Sequence, residues 1–428
     1  MSTSLLDQSS RTRKRNASER RFVRLGLGAI FLSLGFLAML LIAIAGNGYG
    51  AFTQTRIDVA MTWDAESIAK AEKSIVKTAK YNGMIAKALR GQMEAAGIDP
   101  QMKDKELLQL VSSSAGAQLR DFVTATDATK GQFDFLASSR VDGYLKGRVT
   151  RASLAEDKNL SPAHLDLVDA MRAAGMVERR FNLDFIFGGD ASESRPEAAG
   201  LGVSMVGSFY MVLVVLGCAL PVGVAAAIYL QEFAPKNRLT DLIEVNIANL
   251  AAVPSIVFGI LGLAVFIQFA HLPQSAPLVG GLVLTLMTLP RIIIPARAAL
   301  GAVPPSIREA ALGVGASKSQ AVFHHVLPLS MPGILTGVII GMAQALGETA
   351  PLLLIGMVGY IASNHPDGLI SGFTDPNSAM PAQIYEWAKR ADPAYIERAW
   401  GGIILLLAFL MAMNFVAIVL RRKFERRW

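Results

Sequence analysis

The chain has 428 residues, 52% of them hydrophobic, with a formal charge of +7 and a mean hydropathy of +0.40. That average joins very apolar stretches to a polar middle, which excludes an ordinary soluble enzyme and indicates a membrane protein carrying a soluble insert. A single cysteine, Cys218, lies in an apolar run, so no disulfide can form within the chain and the residue reads as a small packed side chain. The basic excess sits at the two ends and reads as membrane orientation, not as a nucleic-acid footprint.

Residues 1–24 are rich in Ser and Arg and are expected to form a disordered cytoplasmic tail. Residues 25–45 carry no charge and are long enough to span a bilayer, which takes about 20 residues. The run exceeds a typical signal-peptide core, and Ala43-Ile44-Ala45 matches a cleavage site weakly, so an uncleaved anchor is expected over a removed signal. Residues 46–199 balance acids against bases and show helical patterning: Ile68, Ala71, Ile75 and Ala79, then Leu107, Leu108, Leu110 and Val111, then Leu165, Leu167, Val168 and Met171. A small, mainly helical domain is expected there, with extended or disordered stretches as the alternative for part of it. It holds one histidine, His164, and no metal-ligand set or catalytic constellation; Trp63 and Tyr81 read as core.

Five further runs follow. Residues 201–230 are uncharged until Glu232 and contain Pro221; 245–270 are interrupted by Asn246, Asn249 and Pro254; 276–299 hold Pro290, Arg291, Pro295 and Arg297; 332–361 hold Glu348. Residues 400–420 close the set, ahead of Arg421, Arg422, Lys423, Arg426 and Arg427. The expected fold class is an all-α membrane protein of six transmembrane helices, with the insert between the first and second. An even count puts both termini on one side, and their basic residues assign that side to the cytoplasm together with segment 304–328. The insert and the 362–399 loop then lie in the periplasm. Gly337 and Gly341 have the spacing of close helix packing.

An ionisable group at the centre of a span costs about 2.5–3.5 kcal/mol on insertion scales, so Glu348 should face protein or a water-filled path. At 1.5 Å per residue from Pro332 it lies about 24 Å from the cytoplasmic end, with Gln344 one turn below and Thr349 beside it. Arg291 lies about 20 Å below the other end of its own helix, so a direct pair with Glu348 is expected to be strained unless Pro290 and Pro295 break that helix. Arg297 is expected to snorkel to the interface. Arg291, Gln344, Glu348 and Thr349 are the candidate path-lining residues; a polar group bonded between helices is the alternative for each.

Segment 304–328 is a polar island between two apolar runs. Ser306 with Glu309 and Ser317 with Gln320 have capping-box spacing, and a glycine stands between, so two short helices joined at Gly315 are expected. Ile307, Ala310, Ala311 and Val314 share one mildly apolar face. Such an elbow suits pressing into a partner's groove, although an ordinary capped loop has the same signals. Glu309-Ala310-Ala311, then Gly315, then Leu327-Pro328 resembles the EAA motif of bacterial ABC-importer permeases, with His325 standing where that family usually has an apolar residue. Ala345-Leu346-Gly347-Glu348-Thr349-Ala350-Pro351 resembles the signature of phosphate-specific permeases. Ala226-Ala227-Ile228-Tyr229-Leu230 and Val253-Pro254-Ser255-Ile256-Val257-Phe258-Gly259 are similar to the A subunit of that subfamily. The resemblance covers residues 200–425 and leaves out 46–195.

The resemblance implies a type I ABC permease fold over 200–428. It implies that Glu309, Ala310, Ala311, Gly315 and Ser317 couple to an ATPase subunit. It further implies a related second permease chain, two ATP-binding subunits, a periplasmic phosphate-binding protein and passage of inorganic phosphate into the cytoplasm through the bacterial inner membrane. Arg291-Ile292-Ile293-Ile294-Pro295 replaces a Thr-rich stretch usual in that family. The segment Gly313-Val314-Gly315-Ala316-Ser317-Lys318-Ser319 lacks P-loop spacing and follows no strand, and no cofactor or metal signature is visible, so ATP hydrolysis is assigned to another polypeptide. The adjacent His324 and His325 cannot both aim at one ion from a helix. An importer of another oxyanion, such as sulfate or molybdate, shares every feature of the elbow. A membrane sensor with an external domain shares the first two spans, but four further spans and the lack of a signalling helix stand against it.

Overall fold

The basic tail and the first apolar run form one helix, α1 (Ser10–Gly48), in the computed structural model, which describes residues 10–126, 128–153, 160–357, 366 and 368–424. The expected disorder is therefore corrected for residues 10–24. Arg, Lys, Ala and Glu are strong helix formers, and a helix nucleated in the apolar run extends into them without a second nucleation cost. The apolar side chains of α1 point away from the protein, Phe31 and Ile42 among them, and only the end near Ile44 and Gly48 is packed.

The insert starts with β1 (Thr53–Thr62), α2 (Ala65–Glu72), α3 (Lys77–Ala95), α4 (Asp104–Leu107) and α5 (Ala115–Ala125). It continues through β2 (Lys130–Leu136), α6 (Ser139–Leu145), α7 (Pro162–Ala173), β3 (Val177–Phe181) and α8 (Leu183–Phe187). Helices are in the majority, as the patterning indicates, and an antiparallel sheet of order β2-β1-β3 runs through the middle. Ile57, Val59 and Met61 alternate inward along β1, and Val59 faces Phe133 while Ile57 faces Phe135. That period of two marks a strand with one buried face. The helical face expected from Ile68 to Ala79 is interrupted between α2 and α3, which leaves Ile75 fully exposed. Tyr81 and Trp63 are core, as their patterns indicate, and Trp63 Nε1 donates to Ala128 O at 2.8 Å.

The rest of the chain is helical. α9 (Gly202–Ile228) passes through Pro221 into a π-helical turn, Tyr229–Phe233. α10 (Arg238–Ala251) and α11 (Ser255–Gly262) follow, the latter extended by a π-helical stretch, Leu263–Phe269. Their axes differ by 100°, so residues 245–270 are not one straight span; Pro254 stands at the corner, where it denies α11 a donor back to α10. α12 (Pro277–Gly301), α13 (Pro305–Gly313), α14 (Lys318–Ala321) and α15 (Leu327–Gly347) come next. α16 (Ala350–Leu354), α17 (Ser371–Thr374), α18 (Met380–Lys389) and α19 (Pro393–Phe424) complete the order. Among the described residues five helices are long and apolar enough to cross a membrane, and the bent pair makes up to six. The run expected over 332–361 ends as a helix at Gly347; residues 358–361, and Arg426 and Arg427, lie outside the described residues.

α9, α12 and α15 form the centre of the membrane part, where Ala219, Val283, Ala296, Leu300 and Ile334 are buried together. α1 and α19 pack on one another at the periphery, and both expose apolar side chains along most of their length. The insert closes onto the helices through Ala51, Phe185, Leu201, Trp387 and Tyr395.

Candidate translocation path and coupling elbow

α12 and α15 touch along a ridge of glycines. A Cβ on Gly337 would stand 2.7 Å from Pro295 Cβ, and one on Gly333 would stand 2.7 Å from Ala299 Cβ. With Gly341 against Thr288 and Arg291, the small-residue face expected from two glycines extends over three. This close approach carries Arg291 to Glu348, with Nη1 and Oε1 3.8 Å apart.

The expected obstacle to that pairing is corrected. α12 runs unbroken through Pro290 and Pro295; it is α15 that stops, at Gly347, and Glu348 takes an extended conformation (ψ 127°). Both side chains are partly shielded, at 22% and 21% exposure. The separation is too long for a hydrogen bond, and the buried Nη1 of Arg291 has no partner among the described residues. Pro295 also removes the amide that the carbonyl of Arg291 would accept from, so that carbonyl lacks its helical partner. Thr349 sits at the start of α16, half-buried next to Glu348, whereas Gln344 lies exposed on α15. The structure thus brings Arg291 to Glu348, with Thr349 next in the chain, and leaves Gln344 at the surface.

Arg297, expected to snorkel, has an ion-pair partner in the fold. Its Nη2 pairs with Glu244 Oε1 of α10 at 2.6 Å, tying α12 to the bent pair. A second clamp holds the elbow: Arg308 reaches both oxygens of Glu232 at 2.6 and 3.1 Å and also donates to Val303 O and Leu300 O, at 2.7 and 2.8 Å. The Glu232 side chain is only 7% exposed, so the guanidinium supplies the charge and donors that a buried carboxylate requires. Sequence reasoning passed over Arg308, Glu232 and Glu244. The available signal was that Glu232 is the first charge after an uncharged run, since an acid left at the edge of a membrane core needs a base.

The elbow differs from expectation in its first half. α13 begins at Pro305, so Ser306 is already inside the helix and forms no capping box with Glu309; two successive prolines preset the backbone and start the helix early. Its end is a Schellman motif: Gly315 has φ +91°, its N–H donates to Leu312 O, and Ala316 N–H donates to Ala311 O, both at 3.0 Å. The second capping box forms as expected, with Ser317 N–H donating to Gln320 Oε1 at 2.8 Å and Gln320 N–H donating to Ser317 Oγ at 3.2 Å. The helix it opens is not a separate arm. It passes through a π-helical turn, Val322–Val326, into α15 and ends at Gly347 after 30 residues, about 45 Å at 1.5 Å per residue. Ala311 is buried and Ile307 half-buried against the helices, while Glu309, Ala310, Leu312 and Val314 face outward. Beside them a cavity of 560 Å³ is lined by Val303, Ile307, His324, His325 and Leu329.

Buried charges fasten the insert to the last helix. Lys146 Nζ, 4% exposed, contacts Asp142 Oδ2 and Thr53 O at 2.7 Å and Glu397 Oε1 of α19 at 3.2 Å. Arg148 contacts the same two carboxylates, and Arg398 donates to Glu197 O at 2.8 Å. Burial pushes the Lys146 ammonium down from its usual range, against the pull of Asp142 and Glu397. Burial likewise pushes the Glu197 carboxyl up, against a hydrogen bond from Ser112.

Residues 219–428 match the family of binding-protein-dependent transport system inner membrane components, and residues 9–155 match a domain of unknown function, DUF3333. The chain is 30% identical over 230 residues to the phosphate transport system permease protein PstA 1 of Mycobacterium tuberculosis (strain CDC 1551 / Oshkosh), covering 54% of this chain and 73% of that one. It is 32% identical over 233 residues to PstA of Mycobacterium leprae (strain TN), covering 54% and 73%. It is also similar to a solved structure of the MetNI methionine ABC transporter in an inward-facing conformation, with 14% identity, a TM-score of 0.41, and 52% and 97% of the two chains covered. The apolar helices and the two PstA relatives agree: the chain is a multi-pass membrane protein and belongs to the PstA family of ABC transport permeases.

Proposed function

We propose that this permease passes inorganic phosphate from the periplasm to the cytoplasm as part of an ATP-driven importer. The observation that carries the reading is the buried, unpartnered Nη1 of Arg291 beside Glu348, held where α12 and α15 touch. Phosphate is a mono- or dianion at neutral pH, and an arginine with a free donor is the group that meets it. Glu348, 3.8 Å away, holds the guanidinium in place without occupying it, and repels an anion that lingers. The names of the relatives support the choice of ion.

In this reading the termini and the elbow are cytoplasmic and the insert is periplasmic, as the basic residues at both ends favour. Two ATPase subunits press on the elbow at Glu309, Ala310 and the adjoining Leu312–Val314 surface, with Ala311, Gly315 and Ser317 shaping it. Because the helix from Lys318 is continuous to Gly347, a push at the elbow reaches Glu348 along one rigid body. A related second permease chain completes the path, a phosphate-binding protein delivers the ion, and the insert offers that protein a docking surface. Radiolabelled phosphate and sulfate uptake in a strain lacking the chain tests the assignment. Wild type should restore phosphate uptake alone, and Arg291→Ala at normal expression should abolish it. Restoration of sulfate instead would overturn the choice of ion, and full phosphate uptake by Arg291→Ala would remove Arg291 from the path.

A further inference from the structure

We propose that the seam between α1, α19 and the insert binds the headgroup of an anionic phospholipid. A cavity of 340 Å³ lies where the end of α1 meets the start of α19, and Tyr49, Lys146, Arg148, Arg179, Glu397 and Trp400 line it. Lys146, Arg148 and Arg179 bring three positive charges, against Glu397 and the Asp142 carboxylate behind it, so the seam carries a net charge of +1. Lys146 is saturated by its three partners. Arg148 donates Nη2 to Asp142 and sets Nε in ion-pair contact with Glu397, which leaves Nη1 for a ligand. Arg179 is exposed and spends one nitrogen on Thr53 Oγ1, at 3.2 Å. A phosphodiester matches two such guanidinium edges.

The surroundings select a lipid over a free anion. Leu40, Leu41 and Ile42 of α1 are exposed one to two turns before the α1 residues that line the cavity, in a helix whose apolar side chains are mostly uncovered, so acyl chains have a surface to lie along. Tyr49 and half-buried Trp400 stand at the boundary, where amphipathic aromatic rings collect. The base of the insert adds exposed Phe181, Leu183 and Phe187 on the strand and helix that carry and follow Arg179. Apolar side chains next to a basic residue, at the edge of a spanning segment, describe a surface that dips into the headgroup layer. The lipid would brace the junction where Glu397 joins α19 to the insert. The proposal stands whatever ion the path carries.

Native mass spectrometry of the full chain, purified and exposed to phosphatidylglycerol or phosphatidylcholine, tests it. Wild type should retain phosphatidylglycerol in preference to phosphatidylcholine. Arg179→Gln should lower that retention about fivefold, the effect of one basic residue near an anionic surface, and Arg179→Glu should lower it further. Lys130→Gln, an exposed change on β2 away from the seam, should leave it unaltered, and an excess of inorganic phosphate should not displace the lipid. Equal retention of the two lipids, or an Arg179→Glu variant that holds phosphatidylglycerol like wild type, would overturn the assignment. Displacement by inorganic phosphate would overturn it as well, and give the cavity to a free anion.

Discussion

Replacing Arg308 by alanine removes one partner of the clamp that holds the elbow to the end of α9. Glu232 is then left 7% exposed with no cation, and the carbonyl of Val303 loses its Arg308 donor while that of Leu300 keeps only the Val303 N–H. Breaking a buried pair from one side costs about 3–5 kcal/mol. Arg308 itself is 23% exposed, so water can reach the site and the lower end, about 3 kcal/mol, applies. Every 1.4 kcal/mol is a factor of ten, so α13 should open roughly a hundred times more often than in wild type. Hydrogen exchange of the α13 amides in the purified chain measures that opening. The variant Glu232→Met/Arg308→Met leaves no charge buried and should recover most of the protection. Exchange in Arg308→Ala within about threefold of wild type would refute the clamp as the elbow's anchor.

Further outcomes follow from the packing and the titrations. Gly337→Ile forces a Cβ to within 2.7 Å of Pro295 and should destabilise the α12–α15 contact by about 1–3 kcal/mol, read as a lower unfolding temperature; an unchanged temperature would contradict the glycine ridge. The raised carboxyl of Glu197 gives stability that is full below the ordinary carboxylate value and declines as pH rises through its folded value. Wild type should therefore unfold more easily at pH 8 than at pH 5, and Glu197→Gln should flatten that slope. Parallel slopes for the two proteins would contradict it.

How much was legible beforehand depends on the range of the signal. Long uncharged runs and terminal arginines announce themselves locally, and so does Gly315, where the chain must adopt a positive φ after a capped helix. The strand at Ile57, Val59 and Met61 was equally local, but its alternation covers few residues and lies beside longer helical patterns that dominate the same insert. The pair Arg291–Glu348 was misjudged because counting residues along two ideal helices assumes that both continue. The end of α15 at Gly347 moves Glu348 off the helical track, and the local signal for it was Pro351, which denies the Gly347 carbonyl its helical donor four residues on. The clamps Arg308–Glu232 and Arg297–Glu244 join positions 76 and 53 residues apart, so only the folded chain reveals the partners. Ser306 was misread for the opposite reason: two prolines set the helix start closer than the capping pattern suggested.

The most direct test of the elbow as the receiver of force is Glu309→Arg. Glu309 is exposed and outside the Arg308 clamp, so reversing its charge leaves the fold intact and alters only the surface offered to a partner. Measured in proteoliposomes holding the complete importer, the variant should keep its unfolding temperature and lose ATP-dependent phosphate uptake together with ATPase binding. Uptake and ATPase binding at wild-type levels would contradict the account.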